Sequence, residues 1–446
     1  MTTDHFEPWQ LRAAFARSLS DMYGREVPAY TTLLEVSHDV NADVVRARGA
    51  DAERLGSIDR VTAERHGAIR VGTPAELQQV ARIFGAMGMH PVGFYDLRDA
   101  SSSSVPVIST AFRPTDRAEL ARNPFRVFTS MLVPSDRRFF SADLQARLDT
   151  FLTRRSLFGP ELLALADRAE ADGGLSAADA AEFLRLATAA FELGREPVDQ
   201  AWYRELEAVS AVAADIGGVP STHINHLTPR VLDIDDLYAR MEARGITMID
   251  AIQGPPLWEG PDVLLRQTSF RALAEPRTFR TPDGEVVQDS LRVRFGEVEA
   301  RGIALTREGR ARYDAAVVEG ATPDVWRRVF PDTEAGLARQ GLGYFTYEVG
   351  DDGTVTREPI VYEDFLPRSA AGIFQSNLTE EGSKDASQAG EERDADWMAG
   401  AVGRELFDPF DLYAAQVAAS RDRAAKRLGV DPHHLENPST PQGAQA

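Results

Sequence analysis

The stretch 64-ERHGAIRVGTPAEL-77 decides the fold. From His66 to Gly72 it reads as a strand, because β-branched and small residues alternate with polar ones before a glycine. Thr73-Pro-Ala-Glu76 then reads as a capping box, with a hydroxyl at the cap and a carboxylate three residues on, and predicts a helix ending near Gly88. Three extended runs follow, 90-HPVGFYDL-97, 105-VPVISTAFR-113 and 125-FRVFTSMLV-133, separated by Asp, Ser and Pro/Asn breakers. The element order is β-α-β-β-β.

The same order returns downstream. The run 222-THINHL-227 reads as a strand, Asp233 caps a helix through Leu237, Met241 and Arg244, and Gly245 stops it. Extended runs 246-ITMIDAI-252, 263-VLLRQTSF-270 and 291-LRVRFGEVEA-300 complete a second β-α-β-β-β. His66 lies seven residues before Thr73, and His226 seven before Asp233, so the two histidines hold equivalent places in the two units. The repeat lives in element order, not in residue identity. The fold class is therefore α+β, with two βαβββ modules as its core.

Other segments arrange themselves around this pair. Residues 1–63 read as an N-terminal helical segment, with Leu11, Phe15, Leu19 and Met22 at helical spacing before a turn at Pro28. The modules span 64–135 and 221–302, and the Ala/Leu/Glu/Arg-rich stretch between them, 136–220, reads as a helical insertion. Residues 303–378 carry helices near 306–319 and Trp326 and a hairpin turning at Asp351-Asp352-Gly353. They end in 364-DFLPRSAAGIFQSN-377, whose texture suits a loop lining a site. Residues 379–403 read as a mobile linker, and 404–446 as a helix from about 405 to 428 followed by a disordered tail.

Composition excludes several functions. A formal net charge of −20 argues against a nucleic-acid partner, since binding phosphates needs a basic patch. No apolar run approaches the roughly 20 residues needed to span a bilayer, and MTTDHFEPWQLRAAF lacks the pattern of a signal peptide, which places the chain in the cytoplasm. With no cysteine, thiolate catalysis and iron–sulfur ligation are excluded, and any metal must be held by nitrogen and oxygen. The composition sets no oligomeric state.

The chain has eight histidines, and three of them, His66, His223 and His226, fall in the two strands that open the modules. Two imidazoles and a carboxylate with open positions make the facial triad that suits Fe(II) and oxygen chemistry, with zinc, manganese and cobalt as other occupants. A lone strand histidine is more often a hydrogen-bonded structural group than a ligand. In a strand, residues three apart face opposite ways, so His223 and His226 cannot both face one site. The cap spacing favours His226, leaving His223 an outer or structural role. In 294-RFGEVEARG-302, Glu297 and Glu299 share a face and spacing does not separate them; Arg301 can pair with Glu299. Arg70 shares a face with His66, about 13 Å along the strand at ~3.3 Å per residue, where a guanidinium can clamp a carboxylate. Gln267, Arg113, Arg126, Ser369 and Gln375 are pocket candidates, each as readily structural, and either face of the Arg266–Ser269 run can look inward. The pair His433-His434 belongs to a polar tail.

The runs ERHGAIRVGT, MGMHPVGFYDL, STAFRP, NPFRVFTS, HINHLTPRVLDID, LLRQTSF, RFGEVEARG and YEDFLPRSAAGIFQSNL resemble the 2-oxoadipate dioxygenase/decarboxylase family over roughly residues 8 to 425. The resemblance implies a vicinal-oxygen-chelate-like core, in which two βαβββ modules form a partly closed barrel. It also implies an Fe(II) enzyme that converts 2-oxoadipate and O₂ to 2-hydroxyglutarate and CO₂ in lysine breakdown. Carried over by motif position, the metal ligands fall on His66, His226 and Glu297, and the substrate-binding arginine on Arg70. Ser369, Arg368 and Gln267 are expected at the substrate, Arg368 standing where close relatives carry valine. The serine run 101–104 and a short 319–345 region are further departures. Two rival readings are another metalloenzyme of the vicinal-oxygen-chelate type, an isomerase or a ring-cleaving dioxygenase, and a noncatalytic metal or small-molecule binding protein.

Overall fold

The structure, a computed structural model, describes residues 5–435 apart from 101–104, 273, 292–293, 368, 370–372, 374–376, 378–383 and 386. The first module forms as its sequence predicts. Strand β1 (Arg65–Val71) leads into the helix Pro74–Gly85, followed by β2 (His90–Asp96), β3 (Val107–Arg113) and β4 (Arg126–Leu132). Thr73 caps the helix by accepting from the Glu76 amide. Glu76 reaches back one residue further than a capping box requires, to the Gly72 amide at 2.6 Å, and Arg155 also binds its carboxylate. A short helix, Arg117–Arg122, started by Asp116, fills what reads in sequence as a breaker.

Strand order is β2-β3-β4-β1-β5, where β5 (His226–Pro229) opens the second module. β1 runs parallel to β4 and antiparallel to β5, with His66 opposite Thr228 and Ala68 opposite His226. The two modules therefore meet strand to strand at their histidines. After the helix Ile234–Ala243, capped by Asp233, come β6 (Leu265–Ser269), β7 (Glu275–Arg280), β8 (Val286–Leu291) and β9 (Glu297–Arg301). β9 pairs with β6, and the Val231 amide donates to the Glu299 carbonyl, which sets β9 beside the end of β5. On the far side of β6, Met248 and Gln253 bridge Phe270 and Gln267. The β5, β9, β6 and 248–253 neighbours thus repeat the β1, β4, β3, β2 order.

Three expectations need correction. The run 246–252 is not a regular strand but part of a segment making two isolated bridges, its polar Asp250 standing exposed among the apolar residues. The run 291–300 is divided: Leu291 closes a hairpin of β7 and β8, and a new strand starts at Glu297. The hairpin turns at Asp283-Gly284, where Gly284 has φ 86°, a signal that Asp-Gly between extended runs announces. Within 379–403, Ala395–Val402 is a helix whose Met398 is fully buried, because Asp394 caps it and its apolar face lies on Pro74–Gly85. The last helix begins at Pro409 after an Asp408 cap.

The ladders of the described residues form open sheets, without the closure expected of a barrel. The outer edge of β2 is covered by chain, the Gly93 amide donating to Phe407. Alternation in the five-stranded sheet sends Ile69, Val71, Phe112, Val127 and Met131 into a core shared with Phe15 and Phe84 of the surrounding helices. Ala68, Ala111 and Phe128 face the other way. That second face also carries His66 and Arg70, one pleat to either side of Ala68. The Tyr23 hydroxyl of the helix Pro8–Glu26 donates toward the carbonyls of Asn225, at 3.1 Å, and Phe295, at 2.9 Å, tying the N-terminal helices to both walls of the site. A third core gathers Trp326, Tyr313, Phe330 and Leu305. Among the described residues no helix is long and apolar enough to cross a membrane.

Candidate metal centre

Three strands converge on one buried cluster. β1 supplies His66, β5 supplies His226, and β9 supplies Glu297; one ligand atom from each lies within 4.8 Å of the others. His66 Nε2 is 3.1 Å from Glu297 Oε1, and His226 Nε2 is 3.7 Å from Glu297 Oε2. The imidazoles meet edge to face with ring centroids 5.3 Å apart. Glycines beside the ligands make room. A Cβ on Gly296 would lie 1.8 Å from the Phe270 ring, and one on Gly67 2.7 Å from Ile224.

Each candidate ligand has a partner on its other side. His66 Nδ1 faces Glu299 Oε2 at 2.9 Å. Arg301 grips Glu299 with two hydrogen bonds of 2.7 and 2.8 Å. His226 Nδ1 contacts Thr228 Oγ1 at 3.0 Å, and Gln267 Nε2 donates to Glu297. Phe365 packs against His66 with centroids 5.0 Å apart, while Phe295 stacks on His226 at 5.2 Å. Glu297 and Glu299, equivalent by spacing, are thus separated by geometry: Glu297 faces both imidazoles and Glu299 backs His66.

Electrostatics follow from burial and neighbours. Burial alone would raise the Glu299 carboxyl, but Arg301 and His66 outweigh it and hold it down to about 2. Burial would lower His66, yet Glu299 and Glu297 bring it above its ordinary value. Burial pushes His226 down to about 4, the Glu297 carboxylate opposes this, and the positive neighbours His66 and Arg70 add to it. Glu297 stays below the usual carboxylate range, because His226 and His66 overcome burial. Two imidazoles and one carboxylate, buried and individually braced, fit a divalent transition metal. With no thiolate they match an N/O facial triad.

Other expected site residues are placed as follows. Arg70 is buried and ion-paired with Asp215 of the helix Ala211–Gly217. His223 turns away from the cluster, with Nε2 3.3 Å from Asp215 Oδ1. Gln267 adjoins Glu297. Ser369 is buried, while Arg368 and Gln375 lie outside the described residues. Arg113 is committed to Asp364 by bonds of 2.7 and 3.0 Å. Arg126 joins Glu64 and Glu363 and stands 3.8 Å from Glu299, so it braces the site from behind. Arg266 pairs with Asp235, and Leu265, Gln267 and Ser269 are the β6 residues registered opposite Arg301, Glu299 and Glu297. His433 and His434 are exposed. Sequence reasoning missed Thr228, Asp215, Phe295 and Phe365. Thr228, two residues after His226 on the same face, was legible from strand alternation, but nothing local marks the others. A cavity of about 390 Å³ shares Tyr95 and Phe365 with this region but none of the three candidate ligands.

Comparison with known proteins gives a consistent picture. The sequence model of the 2-oxoadipate dioxygenase/decarboxylase family matches residues 15–377. A 2-oxoadipate dioxygenase/decarboxylase of Mycobacterium bovis is 62% identical over 417 residues, covering 92% of this chain and 97% of that protein. The crystal structure of the hydroxyglutarate synthase from Pseudomonas putida in complex with 2-oxoadipate superposes with a TM-score of 0.81 at 38% identity, over 96% of this chain and all of that one. A putative glyoxalase superfamily protein from Ralstonia eutropha, 23% identical, shares the fold over 68% of this chain and 86% of its own, with a TM-score of 0.51.

Proposed function

This chain belongs to the 2-oxoadipate dioxygenase/decarboxylase family, and from that premise we propose that it converts 2-oxoadipate and O₂ to 2-hydroxyglutarate and CO₂ in lysine breakdown, with Fe(II) held by His66, His226 and Glu297. The observation that carries this reading is the buried His-His-Glu cluster, formed by three strands distant in sequence. When bound, Fe(II) supplies open coordination positions for a chelating 2-oxo acid and for dioxygen.

The protein's own residues aim and insulate that site. Glu299, anchored by Arg301, faces the Nδ1 side of His66 with its negative charge and leaves Nε2, turned toward Glu297, as the ligand atom. Thr228 takes the Nδ1 side of His226, and Gln267 fixes the rotamer of Glu297. Phe365 and Phe295 close over the imidazoles and exclude bulk water. Arg70, on the ligand face of β1, binds the distal carboxylate of the diacid, while Gln267 and Ser369 line the substrate. The likeness to a glyoxalase superfamily fold and the repeated strand order support a vicinal-oxygen-chelate-like core, with the two modules curving into a partly closed barrel around the metal.

The test is reconstitution with Fe(II) without oxygen, followed by O₂ and 2-oxoadipate. The expected result is CO₂ and 2-hydroxyglutarate in equal amounts, with no added 2-oxoglutarate consumed and with zinc inhibiting. Sustained turnover of 2-oxoadipate without oxygen would overturn the oxygenase assignment.

A further inference from the structure

The two histidines of 223-HINH-226 point to different partners. His226 joins the ligand cluster, while His223 joins Asp215 and Asn225 in a separate buried group around Arg70. Asp215 Oδ2 accepts from Arg70 Nη1 and also from Asn225 Nδ2, at 3.0 Å. Asp215 Oδ1 lies 3.3 Å from His223 Nε2, and Asn225 Nδ2 is 3.2 Å from the same ring nitrogen. The backbone locks this group to β1. The Asn225 amide donates to the Ala68 carbonyl at 2.8 Å, and the Thr222 hydroxyl to the Arg70 carbonyl at 2.8 Å. All four side chains are buried.

We infer that Asp215, with His223 and Asn225 behind it, is a positioning residue that aims the Arg70 guanidinium at the distal carboxylate of the substrate and so sets the preference for a diacid. The inference rests on the reading of Arg70 as the carboxylate clamp. Arginine has a long stem with several rotatable bonds, and a bidentate clamp needs its planar fork held in one orientation. A buried ion pair adds little net stability, because desolvation offsets the attraction. Its effect here is on where the guanidinium points. A guanidinium has five N–H donors, so a bond from Nη1 to Asp215 is compatible with a second carboxylate on the same fork. Arg70 also shares the face of β1 that carries His66, which places the clamp beside the metal site. Burial keeps His223 neutral near pH 7, so the group holds one cation and one anion and does not repel an incoming carboxylate.

The experiment uses the Fe(II)-loaded protein without oxygen, so that binding is read without turnover. Dissociation constants for 2-oxoadipate and for 2-oxohexanoate, which lacks the distal carboxylate, are measured by calorimetry in Asp215→Asn, His223→Gln and Arg70→Gln, together with iron content. The expected result is at least tenfold weaker binding of 2-oxoadipate in Asp215→Asn, less than a twofold change for 2-oxohexanoate, and full iron content. His223→Gln should show the same selectivity loss in smaller measure. In kinetics with oxygen, the loss should fall on KM for the diacid more than on kcat. If Arg70→Gln shifts the diacid preference while neither Asp215→Asn nor His223→Gln does, the tether is overturned and the clamp stands. If Arg70→Gln leaves the preference intact, the clamp reading itself fails and the tether with it. Loss of iron or equal loss of both ligands in Asp215→Asn marks a merely structural role and overturns the proposal. Should Asp215→Asn not fold, His223→Gln decides on the same criteria.

Discussion

At the scale of single residues, the site separates groups that touch the metal from groups that brace them. His66, His226 and Glu297 have their ligand atoms mutually within 4.8 Å, so replacing any one with alanine should leave under a tenth of the bound iron after dialysis, read by elemental analysis. Glu299→Gln keeps the shape of the side chain but loses the charge that faces His66 Nδ1, and outer partners of this kind are worth roughly 10–100-fold in metal affinity. A competition titration with a chelator should show that loss in Glu299→Gln, while His223→Gln, whose ring faces Asp215, should bind metal normally. Normal affinity in Glu299→Gln would remove Glu299 from the support of His66.

At the scale of elements, the ligands stand where strands of the two modules run edge to edge, and close approach decides which side chains are tolerated. Gly296 immediately precedes Glu297, and a Cβ there would meet the Phe270 ring at 1.8 Å, so Gly296→Ala must displace either Phe270 or β9. The expected cost is about 1–3 kcal/mol, seen as a lower urea midpoint, with weaker metal binding as β9 shifts. Helix caps matter less to the site and more to folding. Asp233 accepts from the Asp236 amide at 3.0 Å, and Asp233→Ala should cost about 1 kcal/mol of stability with iron content intact. Iron loss in that variant would mean that the cap also positions β5.

At the scale of the whole molecule, the burial that makes the site also makes the fold sensitive to acid. His223 is buried and held down to about 4 against an ordinary value near 6.5. The folded state therefore resists the proton that the unfolded chain accepts. Stability is at its plateau above pH 6.5 and falls as pH drops toward 4, by about 3 kcal/mol from this group. Metal-free protein unfolded with urea at pH 7, 6, 5 and 4 should show the decline, and His223→Gln should make it shallower while His226, also held down to about 4, keeps its own share; an equal slope in both proteins would assign the acid sensitivity elsewhere. Much of this architecture was legible in the chain, because strand alternation, Thr73 and Asp233 caps and glycine stops are local and repeat in the same order in both modules. Local pattern also put His66 and Arg70 on one face and marked His223 against His226 as alternatives. It could not resolve Glu297 from Glu299, since both sit on one face of β9 and only the approach of β1 and β5 gives each a different neighbour. Nor could it find Asp215, which belongs to a helix of the insertion and reaches Arg70 across 145 positions of sequence. Periodicity is a property of neighbours along the chain and was written there, whereas the partners of a buried charge are set by which surfaces exclude water together, and only tertiary packing decides that.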